Sequence, residues 1–171
     1  MMRASLRSAS LFPRLSRMLA VALMLGLAAC SGSSVNKTTD GTAQNNLTPG
    51  SKQDFSVNVG DRIFFPTDIT SLPETAKNTL RRQAVWLKNY PDVKIIVQGH
   101  ADERGTREYN IGLSARRSAN TKSFLVAQGI GAARIKTISF GKERPVAVCD
   151  AESCWSQNRR AVTVVTGAVS S

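Results

Sequence analysis

One histidine, two tryptophans and two tyrosines stand among 171 residues. A single histidine cannot supply the paired imidazoles of a typical catalytic zinc site, and no nucleophile or metal-ligand partner stands at a useful spacing from His100. A packed, hydrogen-bonded His100 is the expectation, and neither a metal nor a cofactor is expected. Acidic residues are also scarce, 12 against 23 Lys and Arg, for a formal charge of +11. That balance favours anionic partners. The basic residues form no run interleaved with aromatics, so nucleic acid is not expected. No apolar run reaches the roughly 20 residues of a membrane-crossing helix. The longest candidate, Leu19–Leu27, is half that length.

What is present begins with that short run. It follows a basic stretch with Arg3, Arg7, Arg14 and Arg17 and no acid, and it ends in Leu27-Ala28-Ala29-Cys30. The basic region, short apolar core and small residues form an export signal. With the cysteine they resemble a lipobox, which implies cleavage after Ala29 and acylation of Cys30. Residues 1–29 are then a lipoprotein signal peptide, and losing four arginines from +11 leaves about +7. Ser31, rather than Asp, after the cysteine implies transport to the outer membrane. Residues 30–54 comprise this anchor and a Ser-, Thr-, Asn- and Gly-rich stretch too poor in apolar surface to fold. As a coil it spans about 25 Å. Cys149 and Cys154, in an exported chain, are expected to form a disulfide.

The folded domain is expected over residues 55–168. A short strand ends at Phe65. Ala76, Leu80, Ala84 and Leu87 recur at helical spacing within 73–89. Residues 93–99 are β-branched and read as a strand. A second helix over 106–128 carries Leu113, Arg117, Thr121 and Leu125 in one row. Strands follow at 135–140 and 160–165. The order β-α-β-α-β-β predicts an α+β two-layer sandwich, a mixed four-stranded sheet with helices on one face.

The segment Gly99-His100-Ala101-Asp102-Glu103-Arg104-Gly105-Thr106 leaves a strand, turns at Gly105 and enters the second helix. Such corners are common binding sites. Asp102 and Arg117 offer opposite charges that suit a zwitterion: a carboxylate for an ammonium, and a guanidinium fork for a carboxylate. Replacing either by alanine is expected to remove binding with the fold unchanged. Trp86 and Trp155 read as core or rim residues, and Arg159 and Arg160 as glycan contacts or salt-bridge partners.

GHADERGTREYN, with the downstream LSARR, FGKERP and NRRAV elements, resembles the OmpA-like peptidoglycan-binding domains over roughly residues 57–166, most closely those of the peptidoglycan-associated lipoproteins of the Tol–Pal system. The resemblance implies a non-enzymatic outer-membrane lipoprotein that binds the diaminopimelate of peptidoglycan stem peptides. It also implies partnership with TolB and other Tol proteins, and a role in envelope integrity and constriction. It places Asp102 on the ligand's ammonium and Arg117 on a carboxylate. Thr67 and Asp68 line the pocket, and Arg104, Asn110 and Leu113 frame it. Similar sequences often carry Asp where this chain has Pro66, so a contact through an N–H or carboxylate at residue 66 is not expected. The alternatives are a peptidoglycan-active enzyme and an OmpA-like lipoprotein outside the Tol system.

Overall fold

A computed structural model describes residues 47–167. Four strands form one sheet in the order β1-β4-β2-β3: β1 (Arg62–Phe64), β2 (Lys94–Gly99), β3 (Ile135–Ser139) and β4 (Arg160–Thr166). β4 runs antiparallel to both β1 and β2, and β2 pairs parallel with β3. The parallel pair requires a crossover, which the helix α3 (Arg107–Ala127) supplies. The sheet is mixed and the fold α+β, as the order of elements predicts.

Alternation decides which face is buried. Ile95 and Val97 of β2 point inward with Ala161, Thr163 and Val165 of β4 and Ile63 of β1. The helix α2 (Glu74–Asn89) covers this face with the stripe Ala76, Leu80, Ala84 and Leu87. Its Gln83 receives a hydrogen bond from Thr163 Oγ1, 2.9 Å away. α3 packs on the same face. Its row Leu113, Arg117, Thr121 and Leu125 is buried throughout.

Gly99 sets how closely α3 approaches the end of β2. A Cβ there would lie 2.0 Å from the carbonyl oxygen of Ser114. That atom is backbone and cannot step aside, so only glycine allows this contact. The close approach brings the first three turns of α3 down onto the loop that follows β2.

Two features depart from the sequence reading. Regular structure is present before Phe55: α1 (Lys52–Asp54) and a π-helical turn (Phe55–Gly60) precede β1. Ser51 Oγ caps α1 by accepting from Asp54 N at 3.0 Å. The Asp54 carboxylate accepts from Gly50 N and from Trp86 Nε1, both at 2.8 Å. Small polar residues that look like tether are here caps for a buried aromatic pair, Phe55 edge-on to Trp86 at 4.8 Å. Trp86 is a core residue, 7% exposed. Second, a short helix α4 (Glu152–Asn158) lies between β3 and β4. It has no apolar stripe and was not foreseen. Cys149 and Cys154 are disulfide-bonded across its start, with Cα atoms 5.6 Å apart. Closing so short a loop contributes about 2 kcal/mol in the chain-entropy account. The export signal and Cys30 lie outside the described residues.

Candidate functional site

Three chain segments meet beyond the ends of β1 and β2. One is the β1–α2 loop and another the β2–α3 loop with the first turns of α3. The third is the junction of α4 and β4. Between them lies a pocket of about 270 Å³. The structure brings all seven residues singled out from the sequence onto its wall: Thr67, Asp68, Asp102, Arg104, Asn110, Leu113 and Arg117. Gly105, Tyr109 and Arg159 complete it. In the sequence Tyr109 stands out only as part of the motif, and Arg159 as a glycan contact or salt-bridge partner.

Arg117 is the deepest of these, with 0% of its surface exposed. Its guanidinium is fixed by three carbonyls. Nε donates to Ile69 O at 2.9 Å, one terminal nitrogen to His100 O at 3.1 Å, and the other to Pro66 O at 3.0 Å. Pro66 therefore takes part through its carbonyl, the one hydrogen-bonding group proline keeps. Among the described residues no carboxylate lies within ion-pair distance of this guanidinium. Arginine has five N–H groups, so three bonds leave two donors free. Burial, reinforced by the charge of Arg159, lowers its pKa to about 10. It therefore stays cationic at neutral pH. A buried cation without a counterion is costly, and the site retains one at the pocket wall.

Asp102 is the acid of the pocket, but its partners are not those the charge argument expected. Oδ1 accepts from Arg104 N at 3.2 Å and Nε at 3.3 Å. Oδ2 accepts from Arg104 at 2.6 Å and from Arg159 at 3.2 Å. Burial alone would raise its pKa. The hydrogen bonds from the two arginines outweigh that and hold it below the ordinary aspartate value. Asp102 and Arg117 thus share one pocket without forming a pair. Arg104 also reaches Thr67 Oγ1 at 3.3 Å, so it bridges two of the converging loops.

The remaining wall has clear local causes. Thr106 caps α3 by accepting from Tyr109 N, and Gly105 takes φ 85°, which suits the turn before that cap. Asn110 is buried and donates to Arg104 O at 2.8 Å, which anchors the loop. Asp68 sits at φ 58°, a left-handed conformation that Asp tolerates better than most residues. Its carboxylate accepts from the Tyr109 hydroxyl.

His100 is packed as expected but is not hydrogen-bonded. It is 3% exposed, stacks on Phe140 at 5.4 Å, and neither ring nitrogen has a partner. Burial, with the charges of Arg160 and Arg144, lowers its pKa from 6.5 to about 4. The folded protein keeps this ring neutral, so its contribution is complete above pH 6.5 and is lost as pH falls through about 4. We expect His100→Phe to flatten the acid limb of a urea stability–pH curve between pH 6 and 4, by up to about 3 kcal/mol. An unchanged limb would show that His100 does not cause it.

A sequence model of the OmpA family matches residues 64–160. The peptidoglycan-associated lipoprotein of Agrobacterium fabrum is 54% identical over 98% of this chain and 99% of its own length. That of Rhizobium meliloti is 57% identical over 88% of both chains. Among solved structures, the peptidoglycan-associated lipoprotein of Burkholderia pseudomallei aligns with a TM-score of 0.64 at 34% identity, over 68% of this chain and 100% of that one. The C-terminal domain of Helicobacter pylori MotB aligns at 0.59 and 20% identity, covering 63% of this chain and 85% of that one, a likeness of fold alone. By family match and by near full-length identity, this chain belongs to the OmpA family and, within it, to the peptidoglycan-associated lipoproteins.

Proposed function

We propose that the pocket holds the free end of a diaminopimelate side chain, so that the domain binds uncrosslinked peptidoglycan without covalent attachment. The observation that carries this reading is Arg117: a buried guanidinium with two donors to spare and no acid of its own. An incoming carboxylate would supply the missing counterion in a partly desolvated site, where charge-assisted bonds are strongest. The ligand's ammonium would then fall toward Asp102 and Asp68. Asp102 is held by two arginines, Arg104, 39% exposed at its side chain, and Arg159, buried beneath, which fix its carboxylate in the pocket wall. Thr67, Asn110 and Leu113 shape the remaining space.

The wider role follows from the family. Acylation at Cys30 would anchor the domain to the outer membrane, and the pocket would link that membrane to the wall. TolB would compete for an overlapping surface, which suits a part in envelope constriction. No described helix is long and apolar enough to cross a membrane. The enzymatic alternative finds less support: the lone histidine is buried against Phe140, and neither ring nitrogen has a hydrogen-bond partner among the described residues.

Purified protein mixed with diaminopimelate-containing sacculi should pellet with them, and at least about tenfold less with lysine-containing wall, which lacks the terminal carboxylate. Equal pelleting with both walls would remove diaminopimelate as the ligand. Soluble fragments released from the sacculi would favour the enzyme instead.

A further inference from the structure

Against Arg104 and Arg159 of the pocket wall lies a segment with no share in the hydrophobic core. Residues 145–151 have no regular structure, and Val148 is 82% exposed. α4 has seven residues, and Ala151 at its N-cap offers no side-chain oxygen. A helix so short is unstable alone. A disulfide, an asparagine and the Glu152–Arg159 ion pair hold it. The Cys149–Cys154 disulfide closes its start. Asn158 at its end accepts from Val146 N at 2.8 Å and donates to Ala147 O at 2.7 Å.

What this segment presents to the residues around the pocket is specific. Glu152 takes the guanidinium of Arg159. The ring of Trp155 lies 4.2 Å from the guanidinium carbon of Arg104. Trp155 Nε1 donates to Glu103 Oε1 at 2.8 Å. Arg104 and Arg159 are the two arginines on Asp102. Meanwhile no residue of 141–158 belongs to the hydrophobic core. Besides its chain-entropy contribution, the disulfide therefore acts locally, on the helix that packs against those two arginines.

We propose that Trp155 and the Cys149–Cys154 disulfide are positioning elements of the pocket, holding Arg104 and Arg159 in register on Asp102 and thereby setting ligand affinity without touching the ligand. This rests on the wall-binding reading above.

The test is isothermal titration of the full-length protein with a muropeptide that ends in free diaminopimelate. Wild type is compared with the double variant Cys149→Ser, Cys154→Ser and with Trp155→Ala and Trp155→Phe. A guanidinium–aromatic contact of this kind corresponds to about three- to tenfold in affinity. Trp155→Ala and the double variant should weaken binding by that factor, while Trp155→Phe, which keeps an aromatic face, stays within about twofold. The guanidinium NMR signals of Arg104 and Arg159 should shift in the unliganded weak variants while core sheet amides do not, a pattern that general destabilisation does not produce. Should the double variant fold poorly, Trp155→Ala decides alone. If wild type binds and these variants match it, the positioning role is overturned and wall binding stands. If wild type itself does not bind, both fall.

Discussion

Arg117→Ala should lose measurable co-sedimentation with peptidoglycan and should also destabilise the domain. The sequence alone predicts that this side chain can be removed with the fold intact. The structure shows a guanidinium joining Ile69, His100 and Pro66 through their carbonyls. Truncation leaves those three acceptors short of partners at about 1–3 kcal/mol each, offset in part by water entering the open pocket and by relief of a buried charge. A net loss on the order of 3 kcal/mol in urea denaturation is expected, with the protein still folded at room temperature. Removing one side of a desolvated, hydrogen-bonded charge pair costs about 2–5 kcal/mol of binding, which is roughly thirtyfold to several thousandfold. Arg117→Lys separates the two effects. It keeps the charge, but a single ammonium cannot serve three carbonyls and a carboxylate in one plane. We expect binding to fall more than tenfold with a smaller stability loss. Full binding by Arg117→Lys would mean that geometry at this residue is irrelevant.

Asp102→Asn should be the second large effect. It keeps the shape and removes the charge on which Arg104 and Arg159 converge. Arg159 retains Glu152, and Arg104 can turn to water, so the stability loss should be nearer 2 kcal/mol than the 3–5 of a fully stranded buried ion. Because the Asp102 pKa is lowered on folding, its stabilisation is complete above pH 3.8 and disappears only as pH falls through its lower folded value. The Asn variant should therefore lie below wild type at pH 7 and converge with it in strong acid. Binding should fall by an amount similar to Arg117→Ala, since the ammonium loses its acceptor. If Asp102→Asn pellets normally, the ammonium belongs to Asp68, whose carboxylate is engaged by Tyr109 alone.

Much of the site was legible because its signals are local. Asp102, Arg104, Asn110, Leu113 and Arg117 fall within sixteen consecutive positions, and strand-to-helix geometry with helical spacing brings them to one corner. Thr67 and Asp68 came from resemblance, since nothing in their spacing places the β1–α2 loop beside α3. Arg159 was seen but not assigned to the pocket. It meets Asp102 across 57 positions of chain, and only the adjacency of β4 and β2 makes that contact. α4 was missed because Glu-Ser-Cys-Trp-Ser-Gln-Asn has no apolar period. Its order comes from a disulfide, a buried asparagine and an ion pair, none of which leaves a pattern along the chain. The early boundary failed for a related reason, as Ser51 and Asp54 look like tether until Trp86, 32 positions beyond Asp54, supplies their role.

The most direct test is to follow the guanidinium N–H signals of Arg117 by NMR while adding a stem tripeptide that ends in diaminopimelate. Two of its protons should move into strong, slowly exchanging hydrogen bonds at saturation, and the Arg104 signals should shift while its contact with Asp102 persists. Saturable binding with Arg117 and Asp102 undisturbed, and the shifts gathered instead at residues away from this pocket, would contradict the account.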